Sequence, residues 1–282
     1  MANKFGVFVN NDWSSTANWA LTYGGATGAA IPAAADAVYV VGGTYSVTAG
    51  LNQSAITVAS LSILDGYGGA ASGLTIGDDS NPLQINVTNS LTIANRRLLY
   101  SKWSGTIGTL DLQTLGQGRC YLSAGPVTTC LQGDGYLEVA DAAKVTNYST
   151  AGGSALFKGD SSSPVDLVME ISNGATVECW RKIHTVVTAG YLKTAYSAVG
   201  SATSGTSKWR AVAGGTIDIR STGDIVGIEA YAGSRVTAEY NPGLSPVPTI
   251  ATLTEHRGST ITVPTQLITI TTRKRVGFAM NS

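Results

Sequence analysis

The stretch that decides the fold runs from Leu83 to Ile93 and reads LQINVTNSLTI. Apolar and small polar residues alternate along it, which places one side of the chain against a core and the other side in water. Asn and Ser, which favour turns, separate its two β-like phrases. Similar phrases recur along the chain, among them Leu61-Ser62-Ile63, Leu74-Thr75-Ile76, Leu110-Asp111-Leu112, Leu137-Glu138-Val139 and Thr216-Ile217-Asp218-Ile219.

The spacing of these phrases predicts stacked rungs. They return roughly every 15–25 residues, and for example 17 positions separate Ile76 from Ile93 whereas 19 separate Ile93 from Leu112. No long stretch sustains the i, i+3, i+4, i+7 apolar pattern of an amphipathic helix. We therefore predict an all-β chain folded as a β-solenoid. Tandem β-sandwiches or jelly rolls are the alternative, because the same alternation permits them.

The composition excludes several classes of protein. The 282 residues include 34 glycines, and only 13% are charged, about half of the usual share. The 18 basic and 18 acidic side chains cancel, which argues against a nucleic-acid-binding protein. No stretch is apolar enough to cross a membrane, and the first residues lack the apolar centre of a signal peptide. We expect a chain made in a cytoplasm, with neither a nucleic-acid partner nor a membrane partner.

The residue types that carry most enzyme chemistry are sparse. Cys120, Cys130 and Cys179 are odd in number and form no CxxC pair, so that neither a disulfide framework nor a zinc site is indicated and buried free thiols are expected. The two histidines, His184 and His256, lack the surrounding residues of a metal site or a catalytic triad. Gly-rich stretches lack the Lys-Ser/Thr that completes a phosphate-binding loop. We predict no cofactor and no metal.

The first 44 residues differ from the rest in their aromatic content. Trp13 and Trp19 belong to the phrase DWSSTANW, which leads into a Gly-rich stretch and then to Pro32 and Asp36. The open first rung of a solenoid exposes core side chains and strand edges, and it needs a cap. We predict that Trp13 and Trp19 form an aromatic N-terminal cap, with docking on a partner as the alternative role.

The order of these elements resembles the opening of many phage virion and bacterial surface β-solenoid proteins. The residues that carry the resemblance are Trp13, Asn18, Trp19, Pro32, Asp36, Val38, Val40 and Gly42. The resembling segment covers about a seventh of the chain. Because no signal peptide or anchor is visible, the phage group fits better than the secreted group. The resemblance implies a structural protein of the virion that assembles as a trimer.

Composition also divides the chain into three segments. Residues 1–44 form the cap or docking segment, residues 45–160 hold the densest run of β phrases, and residues 161–282 form a second β block. The division near residue 160 rests on a Gly-, Asp- and Ser-rich linker. Within the second block, residues 184–207 are expected to form a looser insertion out of the stack.

Basic residues cluster in two regions of the second block. No acidic residue lies between positions 178 and 218, and none follows position 255. Like-charged patches steer docking onto acidic partners. We predict that docking involves Trp13 and Trp19 together with the basic residues of these regions, Arg181, Lys182, Arg273, Lys274 and Arg275.

These observations predict a non-enzymatic structural protein on the exterior of a tailed-phage virion. It would decorate and cement the capsid, or form a fibre or spike. The expected partners are further copies of itself in a homotrimer, the major capsid protein or another virion protein, and a glycan of the host surface.

The alternative is a polysaccharide-binding or polysaccharide-degrading protein of the tailspike type. Glycoside hydrolysis needs two carboxylates beside a sugar-stacking aromatic ring. The candidates are Asp134, Glu138 and Asp141 near Tyr136, and Asp218, Asp224, Glu229 and Glu239 near Tyr231 and Tyr240.

Overall fold

The computed structural model describes residues 2–41, 46–65, 73–96, 98–113, 118–159, 167–181, 183–194, 209–220, 224–238, 249–263 and 268–277. These residues form 24 strands and one short 3-10 helix, Thr16–Asn18. The strands are β1 Asn3–Gly6, β2 Trp19–Ala20, β3 Ala37–Val41, β4 Ser46–Val47, β5 Asn52–Leu64, β6 Leu74–Ile76, β7 Leu83–Ala94, β8 Leu98–Ser104, β9 Ile107–Leu112, β10 Arg119–Gln132, β11 Tyr136–Val139, β12 Ala143–Thr150, β13 Ser154–Phe157, β14 Leu167–Ile171, β15 Thr176–Cys179, β16 Ile183–Thr188, β17 Tyr191–Thr194, β18 Trp209–Ala211, β19 Thr216–Ile219, β20 Ile225–Ala230, β21 Arg235–Ala238, β22 Thr249–His256, β23 Thr260–Thr262 and β24 Thr269–Val276. The prediction of an all-β chain is confirmed.

The chain divides into two compact units, Met1–Val145 and Thr146–Ser282. This division falls within β12, ahead of the linker predicted near residue 160, and residues 160–166 lie outside the described part of the chain. β3 belongs to the predicted cap segment, yet it already pairs in parallel with β5. The predicted boundaries at 44 and 160 stay predictions.

Strands of the first unit stack as parallel rungs. β3, β5, β7 and β9 pair in parallel, as do β4, β6 and β8. One inward column consists of Val38, Leu61, Leu91, Leu110 and Cys130, all with no exposed surface. Burying a Val or Leu side chain contributes about 1.5–3 kcal/mol, so that such columns account for much of the stability. Parallel rungs of this kind correspond to the solenoid and not to antiparallel sandwiches.

The turn that contains Ile76 contributes two strands, β6 and β7, which corrects one spacing inferred from the sequence. Ile93 and Leu112 face each other on β7 and β9, as expected. Ile76 instead lies on β6 and pairs with Val47 and Ser101. The interval from Ile76 to Ile93 is therefore the distance between two strands of the same turn, and does not correspond to one rung.

The second unit repeats the same architecture. β14, β16, β18, β20, β22 and β24 form one parallel series, and β13, β15, β17, β19, β21 and β23 form the other. Val177, Leu192, Ile217 and Val236 make a fully buried column. Glycines with positive φ precede β15, β19, β21 and β23: Gly174, Gly214, Gly233 and Gly258.

The segment predicted as a looser insertion begins inside this stack. β16 and β17 cover residues 183–194 and pair in parallel on both sides. Val186 and Thr188 point inward and are fully buried, although the polar residues before them weaken the local alternation. Residues 195–208 lie outside the described part of the chain.

The N-terminal aromatic residues form a buried cluster, as the capping prediction requires. Trp13 and Trp19 have no exposed surface and Phe8 has 1%, and the ring centroids lie 4.9 to 5.7 Å apart. Asn18 organises the loop around them, because its Oδ1 accepts hydrogen bonds from the backbone N–H groups of Val9 and Asn10. We call Phe8, Trp13 and Trp19 the aromatic cluster.

The three cysteines are free and buried, as expected from the sequence. Burial raises the pKa of the Cys120 and Cys179 thiols to about 12. A protonated thiol is a poor nucleophile, so that these side chains serve packing. Among the described residues, no helix has the length and apolar character needed to span a membrane.

Candidate recognition surfaces

We call β24, Thr269–Val276, the terminal strand, and it differs from the other strands of its series in exposure. β14, β16, β18, β20 and β22 each bury two or more side chains, whereas the terminal strand buries none of its eight side chains. Arg273 follows Leu253 in register, so that it occupies a core-facing position. The preceding members of that column are Met169, Val186, Trp209, Ile228 and Leu253.

Two arginines of the terminal strand share one carboxylate. Arg273 Nη2 lies 2.9 Å and Arg275 Nε 3.3 Å from Glu255 Oε2. Glu255 is only 8% exposed, and charge-assisted hydrogen bonds of this kind offset the loss of hydration of a buried carboxylate. Lys274 lies on the opposite face, is exposed, and makes no ion pair with a described carboxylate. The terminal strand therefore carries an excess of positive charge.

Three of the other predicted docking residues, Trp13, Trp19 and Arg181, are buried. Trp13 and Trp19 belong to the aromatic cluster of the first unit and have no surface to offer a partner, which supports the capping interpretation. Arg181 is 4% exposed, and its Nε donates to the backbone carbonyl of Lys158. Lys182 lies outside the described residues. Within the described part of the chain, the predicted docking residues that present surface are Arg273, Lys274 and Arg275.

Glu178, Lys193 and Asp218 form a column in register on β15, β17 and β19, which we call the charged ladder; Glu178 and Lys193 are half-buried and Asp218 is buried. Lys193 Nζ lies 2.9 Å from Glu178 Oε2. Asp218 Oδ2 accepts hydrogen bonds from Tyr191 Oη at 2.7 Å and from Arg220 Nε at 2.8 Å. The Glu178–Lys193 pair thus joins opposite charges on neighbouring rungs, whereas Asp218 pairs with Arg220 two residues further along the chain.

The carboxylates predicted as catalytic candidates in the second unit already have protein partners. Asp218 belongs to the charged ladder. Asp224 Oδ1 accepts a hydrogen bond from the Thr249 N–H at 2.8 Å, and Glu229 Oε2 accepts hydrogen bonds from Tyr231 Oη at 3.0 Å and Arg210 Nε at 3.2 Å. Glu239 and Tyr240 lie outside the described residues. These partners hold the carboxylates in structural networks.

The electrostatics of Glu178 are those of a structural ion pair. Burial by itself raises the pKa of its carboxyl group, but hydrogen bonds from Trp180 and Lys193 outweigh burial and lower the pKa below its ordinary value. A general acid of a glycosidase needs a raised pKa instead. Glu178 is therefore suited to an ion pair and poorly suited to proton donation.

A patch of alternating aromatic and charged side chains covers one face of the first unit. Tyr100, Arg119 and Tyr136 are in register on β8, β10 and β11, and beside them lies a second column of Lys102, Tyr121 and Glu138. We call these six residues the tyrosine patch. The ring of Tyr121 lies 4.9 Å from that of Tyr100 and 6.2 Å from that of Tyr136.

Two tyrosine hydroxyl groups of the tyrosine patch donate hydrogen bonds to carboxylates. Tyr100 Oη donates to Asp79 Oδ1 at 3.0 Å, and Tyr136 Oη donates to Glu138 Oε2 at 3.0 Å. Burial and these hydrogen bonds raise the pKa of Tyr136 to about 12 and raise that of Tyr100 as well. Of the acids predicted near Tyr136, Glu138 is brought into contact, while Asp134 and Asp141 are exposed.

A small polar cleft of about 260 Å³ lies beside the loop that contacts the tyrosine patch. Asn52 and Gln84, in register at the starts of β5 and β7, line it together with uncharged residues: Thr48, Gly50, Leu51, Ser80, Asn81 and Pro82. Asp79, in the same loop as Ser80, accepts the hydrogen bond from Tyr100. Hydroxyl and amide groups of this kind suit hydrogen bonding to a neutral polar ligand.

Sequence reasoning missed the tyrosine patch and the charged ladder. The available signal was the outward position within each phrase, where Tyr121 lies between Cys120 and Leu122 and Lys193 lies between Leu192 and Thr194. The missing information was the register that places these positions on adjacent rungs. Among the described residues, no group of three or more His, Cys, Asp or Glu side chains is arranged to hold a metal ion.

No protein-family model, curated protein or solved structure matches the chain. The surfaces described above, together with the sequence, are therefore the basis on which function is argued.

Proposed function

We propose that this chain is a non-enzymatic structural protein on the exterior of a tailed-phage particle. It decorates and cements the capsid, or forms part of a fibre or spike. The observation that carries the proposal is the terminal strand, whose eight exposed or half-buried residues include three consecutive cations. An edge that no described strand pairs with, and that carries excess charge, can serve as a surface for another protein.

The rest of the molecule supports a structural role. Parallel rungs with fully buried columns make a stiff scaffold, and the Glu178–Lys193 ion pair of the charged ladder joins side chains of neighbouring rungs. Catalytic carboxylates instead need a free face towards substrate and a tuned pKa. The partners held by Asp218, Asp224 and Glu229 favour stability over catalysis.

A homotrimer is part of this proposal. Only 13% of the residues are charged, and outward strand positions rich in Thr, Ser, Ala and Val are poorly hydrated unless a partner covers them. Closed symmetric association covers such surfaces without leaving free edges. The partners of the trimer are the major capsid protein or another virion protein.

Location in the particle is the direct test. Particles would be purified by density gradient from a culture whose phage genome encodes this chain, then labelled with antibody against the chain and viewed by electron microscopy. We expect regular labelling on the outside of intact particles. A chain that remains in the soluble fraction and labels no particle would overturn the proposal.

Attachment through the terminal strand is tested by mutation. The variant R273Q/K274Q/R275Q should bind particles lacking the chain less well than the wild type. The control R96Q/K144Q/R235Q removes the same charge from exposed positions elsewhere and should bind normally. Since neutralising the arginines leaves Glu255 without its partners, K274E is the second variant, because Lys274 makes no ion pair with a described carboxylate. Equal attachment of all four proteins contradicts the role of the terminal strand.

Polysaccharide binding or degradation is the second candidate function. The specific observation in its favour is the tyrosine patch beside the polar cleft, because aromatic rings with adjacent hydrogen-bonding groups bind sugars. Purified protein would be incubated with capsular and O-antigen polysaccharide, and reducing ends and unsaturated sugars measured. Release of either product would overturn the non-enzymatic proposal, and E138Q would then be the first variant to assay.

A further inference from the structure

Among the described strands, the terminal strand has a pairing partner along one edge only. β16, β18, β20 and β22 each pair in parallel with a strand on either side. The described partner of the terminal strand is β22, and none of its side chains is buried. An unpaired strand edge presents a row of N–H and C=O groups that another extended segment can complete.

The second unit shows how its rungs pair charges. Lys193 on β17 lies between Glu178 on β15 and Asp218 on β19. Arg210 on β18 is followed by Glu229 on β20. Lys193 makes its ion pair with Glu178, and Arg210 makes its ion pair with Glu229. The terminal strand carries three cations, Arg273, Lys274 and Arg275, beside the single carboxylate of Glu255 on the preceding rung, so that acidic side chains on an added strand would balance its excess charge.

A second copy of the chain is a poor occupant of that position. Head-to-tail stacking would place β1 of one copy on the terminal strand of another. β1 is already paired on both sides, antiparallel with β2 and parallel with β3. It also carries Lys4, which would bring like charge to the contact. The occupant is therefore a different protein.

We propose that the terminal strand binds an extended acidic segment of a partner protein as an added β-strand. Carboxylates at alternate positions of that segment pair with Arg273 and Arg275 on one face, and its backbone completes the hydrogen bonding of the edge. This inference rests on the proposed function, since it names the chemistry of the partner that the terminal strand docks on.

The test uses the full chain and two labelled peptides of alternating valine and threonine. One carries two glutamates at alternate positions, and the other carries glutamines instead. Fluorescence anisotropy should show binding of the glutamate peptide, about tenfold weaker binding of the glutamine peptide, and weakening of the former by salt. R273Q and K274Q should each reduce binding, whereas R235Q should not. Equal binding of both peptides, or no binding, overturns the inference.

Strand addition is separated from plain charge attraction by hydrogen–deuterium exchange. The glutamate peptide should slow the exchange of backbone amides in residues 269–276. Binding without such protection contradicts strand addition. A single-stranded DNA oligonucleotide that displaces the peptide and binds as tightly would show a general polyanion site and would also overturn the inference.

The outcome is distinguishable from that of the particle experiment. Peptide binding by a chain that is absent from particles would refute the proposed function and leave the acidic-strand site standing. Antibody labelling of particles, together with no binding of either peptide, would refute only the acidic-strand site.

Discussion

Replacing Trp19 by alanine tests whether the aromatic cluster holds the first unit together. Trp19 has no exposed surface, its ring contacts Phe8 and Trp13 at centroid distances of 5.5 and 4.9 Å, and its Nε1 donates to the Trp13 carbonyl at 2.9 Å. Truncating a buried Trp to Ala costs about 3–5 kcal/mol, and the carbonyl that loses its donor adds about 1 kcal/mol. We expect W19A to lose about 4–6 kcal/mol of unfolding free energy.

W13A should cost about 3–5 kcal/mol, since Trp13 is equally buried. Because the two rings are in contact, the double variant should cost less than the sum of the single variants, by about 0.5–3 kcal/mol. The matched control is W180A, because Trp180 is only half-buried and its Nε1 bonds the partly exposed Glu178. This control should cost about 1 kcal/mol.

Denaturant unfolding followed by far-ultraviolet circular dichroism at the β-sheet minimum measures all four variants, because each transition is fitted against its own folded baseline. Limited proteolysis then locates the segment that opens. If W19A unfolds within about 0.5 kcal/mol of the wild type, or if the two single variants are strictly additive, then the aromatic cluster does not act as a cap.

Three further outcomes concern the backbone, the tyrosines and the thiols. A Cβ at Gly125 would lie 2.1 Å from the Gly105 carbonyl oxygen, whereas Gly174 has a similar positive φ but open space around it. G125A should therefore lower the unfolding free energy by about 3 kcal/mol and G174A by about 1 kcal/mol, as measured by denaturant unfolding. Equal losses for the two variants would contradict the close packing at Gly125. The pKa values of Tyr136 and Tyr191 are raised to about 12, so that both side chains stabilise the fold while they are protonated. Their contribution to the unfolding free energy is complete below the ordinary pKa of about 10 and is lost as the pH rises from there to about 12. An ultraviolet titration in which every tyrosine ionises at its ordinary pKa would refute this prediction. The thiols should resist Ellman's reagent in the folded chain and react after denaturation, and prompt reaction of the folded chain would contradict their burial.

Local features of the fold were predictable from the sequence because local chemistry determines them. Alternation gives a strand its buried side, and the turns that end in Gly214, Gly233 and Gly258 need a residue that accepts positive φ. The pairing of Ile93 with Leu112 followed from the spacing of two phrases. Ile76 was misplaced because the sequence does not state how many strands make one turn.

The recognition surfaces depend on register, and register is a long-range property. Arg181 belongs to a basic stretch, but its guanidinium reaches the Lys158 carbonyl and is buried. Tyr100 and Tyr121 lie far apart along the chain, and only the pairing of β8 with β10 brings their rings together. Counting charges along the sequence treats every cation as exposed, which holds for Arg273 to Arg275 and fails for Arg181.

Among the described strands, cations occupy the outermost positions of two inward columns, one in each unit. The buried column of Val38 begins with Lys4, whose Nζ donates to the Ala30 carbonyl at 3.0 Å, and β1 is closed by pairing on both sides. Among the described strands, the column of Leu253 runs to Arg273, and a cation at this core-facing position disfavours pairing with an apolar strand. Pairing on both sides leaves β1 no edge for a partner, whereas the cations of the terminal strand disfavour apolar and basic partners and favour acidic ones. We therefore expect the terminal strand to be selective: it should resist aggregation and still bind the acidic segment proposed above.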